Sequence, residues 1–364
     1  MTKFRRSERS LPARRGMIAI SELLVMVTIL VGLFWFGAQF MAVISSVPGA
    51  AAATHRAVSD RSVYRISLNE AGDRIWIYRP RSGVTEFDMK SREPERIMSV
   101  HGNECTTVAH SADGQSTVIC NHDGSIVLYR ENFEPMTQTM VRSSDMVIDA
   151  AISHNGDVVA CVTQQGKVFG WSRQGQQLKE FHYSVGGDAP ILRGGLNRDG
   201  KRVFVARVTG KVSFHSPDTG EEVAEPVVVD RSWLKDGECT AIAWSFDERL
   251  LAFASSAGLI RVQDLQSNRI ICEGKVDHPF SGTRPVSIAI SKDCRRLAAT
   301  TNTSKEIYLW DLETAMPAGR LAGHDGIVRS LEFGRQSSIL YSGSYDGTVR
   351  EWLVEKQALN RIID

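Results

Sequence analysis

Seven times along this chain a short polar turn separates two apolar stretches, at nearly constant spacing. The tetrads are Asn69-Glu70-Ala71-Gly72, Ser111-Ala112-Asp113-Gly114, Ser153-His154-Asn155-Gly156, Asn197-Arg198-Asp199-Gly200, Ser245-Phe246-Asp247-Glu248, Ser291-Lys292-Asp293-Cys294 and a degenerate Gly334-Arg335-Gln336-Ser337. Their fourth residues lie 42, 42, 44, 48, 46 and 43 positions apart. Asx and Ser side chains bond the local backbone, and Gly accepts positive φ, so each tetrad reads as a tight β-turn. A second marker keeps the same beat. Alternating apolar segments end at Asp88, Tyr129, Trp171, His215, Gln263, Trp310 and Trp352, at intervals of 41, 42, 44, 48, 47 and 42, and most of them open on a Gly.

Within one unit the hydrophobic period is two: 241–245, 250–254 and 259–263 read as strands, with a fourth near Arg269. Four short strands cannot bury both faces of their own sheet. Stacked radially, each sheet covers the next. The predicted fold is therefore all-β, a seven-bladed β-propeller over residues 63–364.

The repeats resemble those of WD40-repeat proteins over about residues 63–363, a resemblance that also supplies the closed ring of seven. The last unit carries it best: Gly323-His324, then Ser342 through Asp346 to Trp352. Trp310-Asp311 is the family's dipeptide. The resemblance implies a hydrogen-bonded tetrad of His324, Ser342, Asp346 and Trp352. In the second unit His101, Asp123 and Tyr129 keep the offsets, but Ile119 replaces the Ser.

The N-terminus is of another kind. Residues 1–16 hold six basic residues against Glu8, a net +5, whereas the remaining residues sum to −4. From Leu23 to Ile44 the chain is apolar all round, interrupted only by Gln39, long enough at ~1.5 Å per residue to cross a core of ~30 Å. The basic head orients residues 17–45 as a transmembrane signal anchor, N-terminus cytoplasmic and propeller extracytoplasmic. Two other fates stay open. Cleavage near Ala50–Ala53 would secrete the propeller. Arg14-Arg15-Gly16 followed by Met17 to Leu24 resembles a type IV prepilin leader, although Glu22 falls sixth rather than fifth after the Gly. Residues 46–62 read as a linker. A body without basic excess argues against a nucleic-acid partner.

No catalytic, cofactor or metal motif is expected. The six cysteines include no C-x-x-C pair. Cys105 and Cys120 would fall opposite each other across a regular hairpin, either as a disulfide or as small buried hydrophobes. His110, His122 and His154 are placed at turns, where imidazoles are ordinarily exposed. Two inserts, 221–237 and 273–284, precede the first strands of units 5 and 6 and carry Trp233, His278 and Phe280. These are candidate partner-docking residues, the other reading being loops folded against the propeller. The expected function is a membrane-tethered, non-catalytic protein–protein interaction scaffold. The alternatives are an enzyme or ligand binder using the central channel, for which clustered His, Glu or Asp in the channel would argue, or a pilin-like, secretion-associated component.

Overall fold

The computed structural model describes residues 61–363, apart from 81, 92, 99–104, 131–133, 141–144, 175–176, 188, 236 and 277–282. The chain divides between Thr54 and His55. The expected span 17–45, its basic head, His101, His278 and Phe280 lie outside the described residues. Among those described, no helix is long and apolar enough to cross a membrane.

Seven four-stranded antiparallel sheets follow one another, each made of consecutive strands. Blades 1 to 7 span 65–98, 105–140, 147–184, 191–228, 239–275, 285–321 and 328–362. The first strand of every blade is innermost, so the seven first strands line a central channel. Turns between strands 1 and 2, and between strands 3 and 4, lie on one face of the ring, here called lower. Turns between strands 2 and 3 and the links between blades lie on the upper face.

Both sequence markers are turns. The fourth tetrad residue is left-handed at Gly72, Gly114, Gly156 and Gly200, with φ of 73°, 74°, 73° and 73°. Glu248 and Cys294 take the same conformation at 61° without being glycine. Side chains lock these turns: Ser245 Oγ donates to Asp247 Oδ1 at 2.5 Å and accepts from Leu250 N at 2.7 Å. Ser291 and Asp293 repeat the arrangement at 2.6 Å.

The core is seven separate apolar clusters, one in each seam between neighbouring blades. The last seam closes the ring. Val63 N donates to Ser344 O at 2.9 Å, Ser62 Oγ to Tyr345 O at 3.2 Å and Ile66 N to Ser330 Oγ at 3.1 Å. Ser62, assigned to the linker from sequence, is already buried here. Gly343 allows the approach, because a Cβ there would stand 2.5 Å from Val63.

The cysteine expectation is corrected in part. A register shift after Cys105 sets Cys105 opposite Asn121 and Cys120 opposite Thr107, so the two are not paired across the hairpin. Both are buried free thiols. The sulfur nearest Cys120 belongs to Cys161 of blade 3, at 3.5 Å.

Candidate functional site

The channel is filled by layers of residues that occupy equivalent positions in the seven repeats. Four residues before each turn stand Arg65, Thr107, Asp149, Arg193, Ala241, Ser287 and Ser330. Three of these form a strut around a buried carboxylate. The Asp149 carboxylate accepts from Arg65 at 2.9 Å and from Arg193 Nε at 2.8 Å, joining blades 1, 3 and 4. Arg65 also donates to Thr107 Oγ1 at 2.7 Å. Burial would raise the Asp149 carboxyl, but the two guanidinium groups outweigh it and hold it below the usual carboxylate range. Burial likewise pulls Arg65 down, and Asp149 more than restores it.

The second residue of each tetrad rings the lower mouth. Glu70 of blade 1 reaches across it to His154 Nδ1 of blade 3 at 2.6 Å and Arg198 of blade 4 at 2.7 Å. Lys292 Nζ donates to the Glu70 carbonyl at 3.4 Å. Between these layers sits Glu332, whose carboxyl burial pushes up to about 7. His110 is not an exposed turn residue. It ends a strand, stacks on Trp76 with centroids 3.8 Å apart, and burial pushes it down to about 4. His154 is engaged with Glu70, and His122 is exposed in its turn. The channel thus holds the clustered acids and histidines that would favour channel chemistry, but Asp149 and Glu70 are committed to cross-ring ion pairs.

From this mouth a cavity of about 940 Å³ runs outward between blades 4 and 5. Its aromatic wall is Phe204, Phe214 and Trp244, with Trp244 centred 4.9 Å from Phe204 and 5.7 Å from Phe214. The Trp244 indole N–H is satisfied by Glu248 O at 3.2 Å. The other wall is the fourth strand of blade 4, Glu222–Val228, whose pairing jumps between Val212 and Phe214. Glu225 and Pro226 bulge there, and Val228 is 63% exposed. Bulges break pairing and re-aim a strand, and proline is tolerated because this is an edge strand. Four aromatic residues of this seam, including Trp233, stay only partly buried.

The predicted tetrad residues come together in blade 7. Trp352 Nε1 donates to Ser342 Oγ, Ser342 bonds His324 Nε2, and His324 Nδ1 bonds Asp346 Oδ2, each at 2.7 Å. Thr348 Oγ1, not foreseen, donates to Asp346 Oδ1 at 2.6 Å. Burial would raise the Asp346 carboxyl, yet the bonds from Thr348 and His324 pull it down to about 2. Burial lowers His324 more than Asp346 raises it. A neutral ring with its proton on Nδ1 therefore fits the chain of donors. In blade 6 Trp310 stands opposite Leu297 as Trp352 stands opposite Leu340, so Ala299 takes the place of Ser342, and Trp310 Nε1 has no partner among the described residues.

Of the docking candidates only Trp233 is described. It lies in a one-turn helix, Arg231–Leu234, capped by Asp230, and Leu234 anchors that turn in the core. The Arg261 guanidinium covers the Trp233 ring at 4.8 Å, so this loop is folded against the propeller. Among the described residues no three His, Cys, Asp or Glu side chains are placed to hold a metal ion.

The mouth and seam were missed in the sequence because their residues come from different repeats. One signal was available: Arg, Asp and Arg stand in a column that elsewhere holds Ala, Ser or Thr.

Residues 316–352 match the WD40 family, described as WD domain, G-beta repeat. Periodic tryptophan protein 2 homolog of Schizosaccharomyces pombe is 42% identical over 65 residues, 18% of this chain and 8% of that protein. U3 snoRNP-associated protein-like EMB2271 of Arabidopsis thaliana is 41% identical over 70 residues, 19% and 14% of the two chains. The chain thus spans only a small part of these relatives' length. The Cps50 (Swd1) β-propeller domain of Myceliophteria thermophila superposes with a TM-score of 0.68 at 15% identity, covering 80% of this chain and 97% of that one. Seven blades, a matching repeat and this structural likeness together show a seven-bladed β-propeller that carries a WD40 repeat at residues 316–352.

Proposed function

We propose that this chain is a non-catalytic protein-interaction scaffold, held at a membrane by residues 17–45 with residues 1–16 cytoplasmic and the propeller on the other side. The observation that carries the scaffold reading is the open seam between blades 4 and 5. It leaves Phe204, Phe214 and Trp244 half-buried in a rigid frame, and aromatic anchors on preorganised surfaces dominate many interfaces. Chemistry in the channel would need charged groups free to meet a substrate, whereas Arg65, Asp149 and Arg193 are spent on one another. The basic head and apolar run support the tether.

A photoreactive amino acid placed at position 228, 233 or 356 of the full chain, irradiated in intact cells, tests the scaffold. Protein adducts at 228 or 233, and none at the remote turn position 356, are expected. Absence of adducts at both 228 and 233 overturns the reading. Protease added to the same cells tests the tether: a propeller cut only after the membrane is opened from the cytoplasmic side overturns it.

A further inference from the structure

We propose that Cys120 and Cys161 are oxidised to a disulfide that staples blade 2 to blade 3 whenever the propeller folds in contact with an exchangeable disulfide. That condition is met on the far side of the membrane in the topology proposed above.

Cys120 lies in the second strand of blade 2, Ser116–Asn121, and Cys161 in the second strand of blade 3, Val158–Thr163. Both side chains belong to the apolar cluster that fills the seam between these sheets, and both are 0% exposed. From their separation of 3.5 Å the sulfurs reach a bond of ~2.05 Å by an approach of about 1.5 Å, which the two side-chain torsions can share. The cross-strand neighbours on the innermost strands, Thr107 and Ala150, are small, so no large side chain wedges the sheets apart on the channel side.

The other four thiols face different groups. Cys105 donates to Thr107 O at 3.4 Å, Cys239 to Ala241 O at 3.5 Å and Cys294 to Asp247 Oδ1 at 3.4 Å. Cys272 is packed between blades 5 and 6, one seam away from Cys239. Cys161 also occupies a telling position. Val159 stands opposite Trp171 as Leu340 stands opposite Trp352, so Cys161 takes the place of Ser342. Blade 3 thus puts a thiol where blade 7 puts the hydroxyl that joins its tryptophan to its histidine.

The oxidant is a disulfide such as glutathione disulfide. The thiolate of one cysteine attacks it, breaks its S–S bond and releases one glutathione thiolate, leaving a mixed disulfide. The thiolate of the second cysteine attacks the protein sulfur of that intermediate and releases the second glutathione. The two cysteines lose two protons and two electrons, and the glutathione disulfide takes them up. The reaction belongs to the folding chain, because in the closed seam burial pushes the Cys120 thiol well up and shuts the oxidant out. The bond would close a loop of 41 positions across a seam otherwise held by apolar packing.

The test is synthesis of the full chain in a cell-free system with non-ionic detergent, glutathione and glutathione disulfide, so that folding takes place with the oxidant present. Remaining thiols are blocked with excess maleimide as the soluble chain is unfolded in urea, and the digest is mapped by mass spectrometry. The expected product joins the Cys120 and Cys161 peptides and is lighter by two hydrogens than the reduced pair, with Cys105, Cys239, Cys272 and Cys294 blocked. Cys161→Ala should leave Cys120 blocked rather than joined to Cys105. Blocking of both Cys120 and Cys161 in the unaltered chain, glutathione retained on either, or a bond from Cys120 to another cysteine overturns the proposal. Blocking thiols in intact cells before lysis separates the bond from the topology. Joined peptides there support both. Joined peptides in the cell-free product alone support the pairing and overturn the extracytoplasmic placement.

Discussion

Replacing Asp149 by Asn tests whether the ion pairs across the channel hold the ring together. The substitution keeps one amide oxygen for Arg65 and turns an N–H toward Arg193, leaving two guanidinium groups facing each other without a carboxylate. The Asp149 side chain is only 2% exposed, and removing one partner of a buried pair costs about 3–5 kcal/mol. Arg65 and Arg193 are 28% and 43% exposed, so water recovers part of that loss; the expected destabilisation is about 2–4 kcal/mol. At roughly 2–4 °C per kcal/mol for domains approaching this size, melting should fall by roughly 4–16 °C. Urea denaturation should show a lower midpoint with an unchanged slope, the mark of altered stability rather than altered compactness. The loss should persist in 0.5 M NaCl, because buried charges are poorly screened. The triple variant Asp149→Leu/Arg65→Met/Arg193→Met should recover most of it, since apolar replacement of a whole buried ion cluster is close to neutral. A destabilisation below about 0.5 kcal/mol, or one that vanishes in salt, would refute the strut.

Glu332 gives a pH signature. Its folded-state pKa is raised to about 7, so the native state holds the proton more tightly and stability falls as pH rises from 4.5 to 7. Glu332→Gln should match wild type near pH 4.5 and exceed it by about 1–2 kcal/mol at pH 8, after allowing for solvent at the mouth; equal melting at pH 8 counts against it. His110, pushed down to about 4, acts oppositely below pH 6.5 in both proteins and cancels in the difference. In the tetrad, His324→Ala and Asp346→Ala should each cost about 1–3 kcal/mol and couple by more than about 0.5 kcal/mol. Strict additivity in the double-mutant cycle would show that they do not act as one network. Trp352→Phe should cost a similar amount, while Trp310→Phe, whose N–H has no partner among the described residues, should cost less. In the native chain a thiol reagent should label Cys294 first. Cys105, Cys120, Cys161, Cys239 and Cys272 are buried and should react only on unfolding; rapid native labelling of any of these five would contradict the packing.

The blades were legible because a β-turn and a strand period are local properties. Ser245-Phe246-Asp247-Glu248 dictates its turn from within four residues, whatever surrounds it. The tetrad was legible for a related reason: His324, Ser342, Asp346 and Trp352 all come from one repeat. The register of Cys105 was not, because it hangs on a bulge, and nothing in the chain marks where the extra residue goes. The strut and the seam were out of reach for a different reason. Arg65 and Asp149 are 84 residues apart and meet only because the ring closes. The aromatic wall combines blade 4 with blade 5, so no single repeat contains it. Trp233 was legible as a large side chain in an insert, but its cover by Arg261 from the neighbouring sheet was not.

Closure through blades 7 and 1 also sets an order of events at the ribosome. Every sheet is built from consecutive strands, so each blade can pair its own backbone as it emerges. The outer flank of blade 1 cannot be covered in that way. Val63, Ile66, Ile75 and Ile77 wait for Tyr341 and Val349, and the bond from Ser62 to Tyr345 spans 283 positions. At ~5–20 residues per second of synthesis, that flank stays wet for roughly 15–60 s. A half-made chain is therefore an open stack with a sticky end at each terminus. During that interval nascent copies can join end to end through the same surfaces that later seal a single ring.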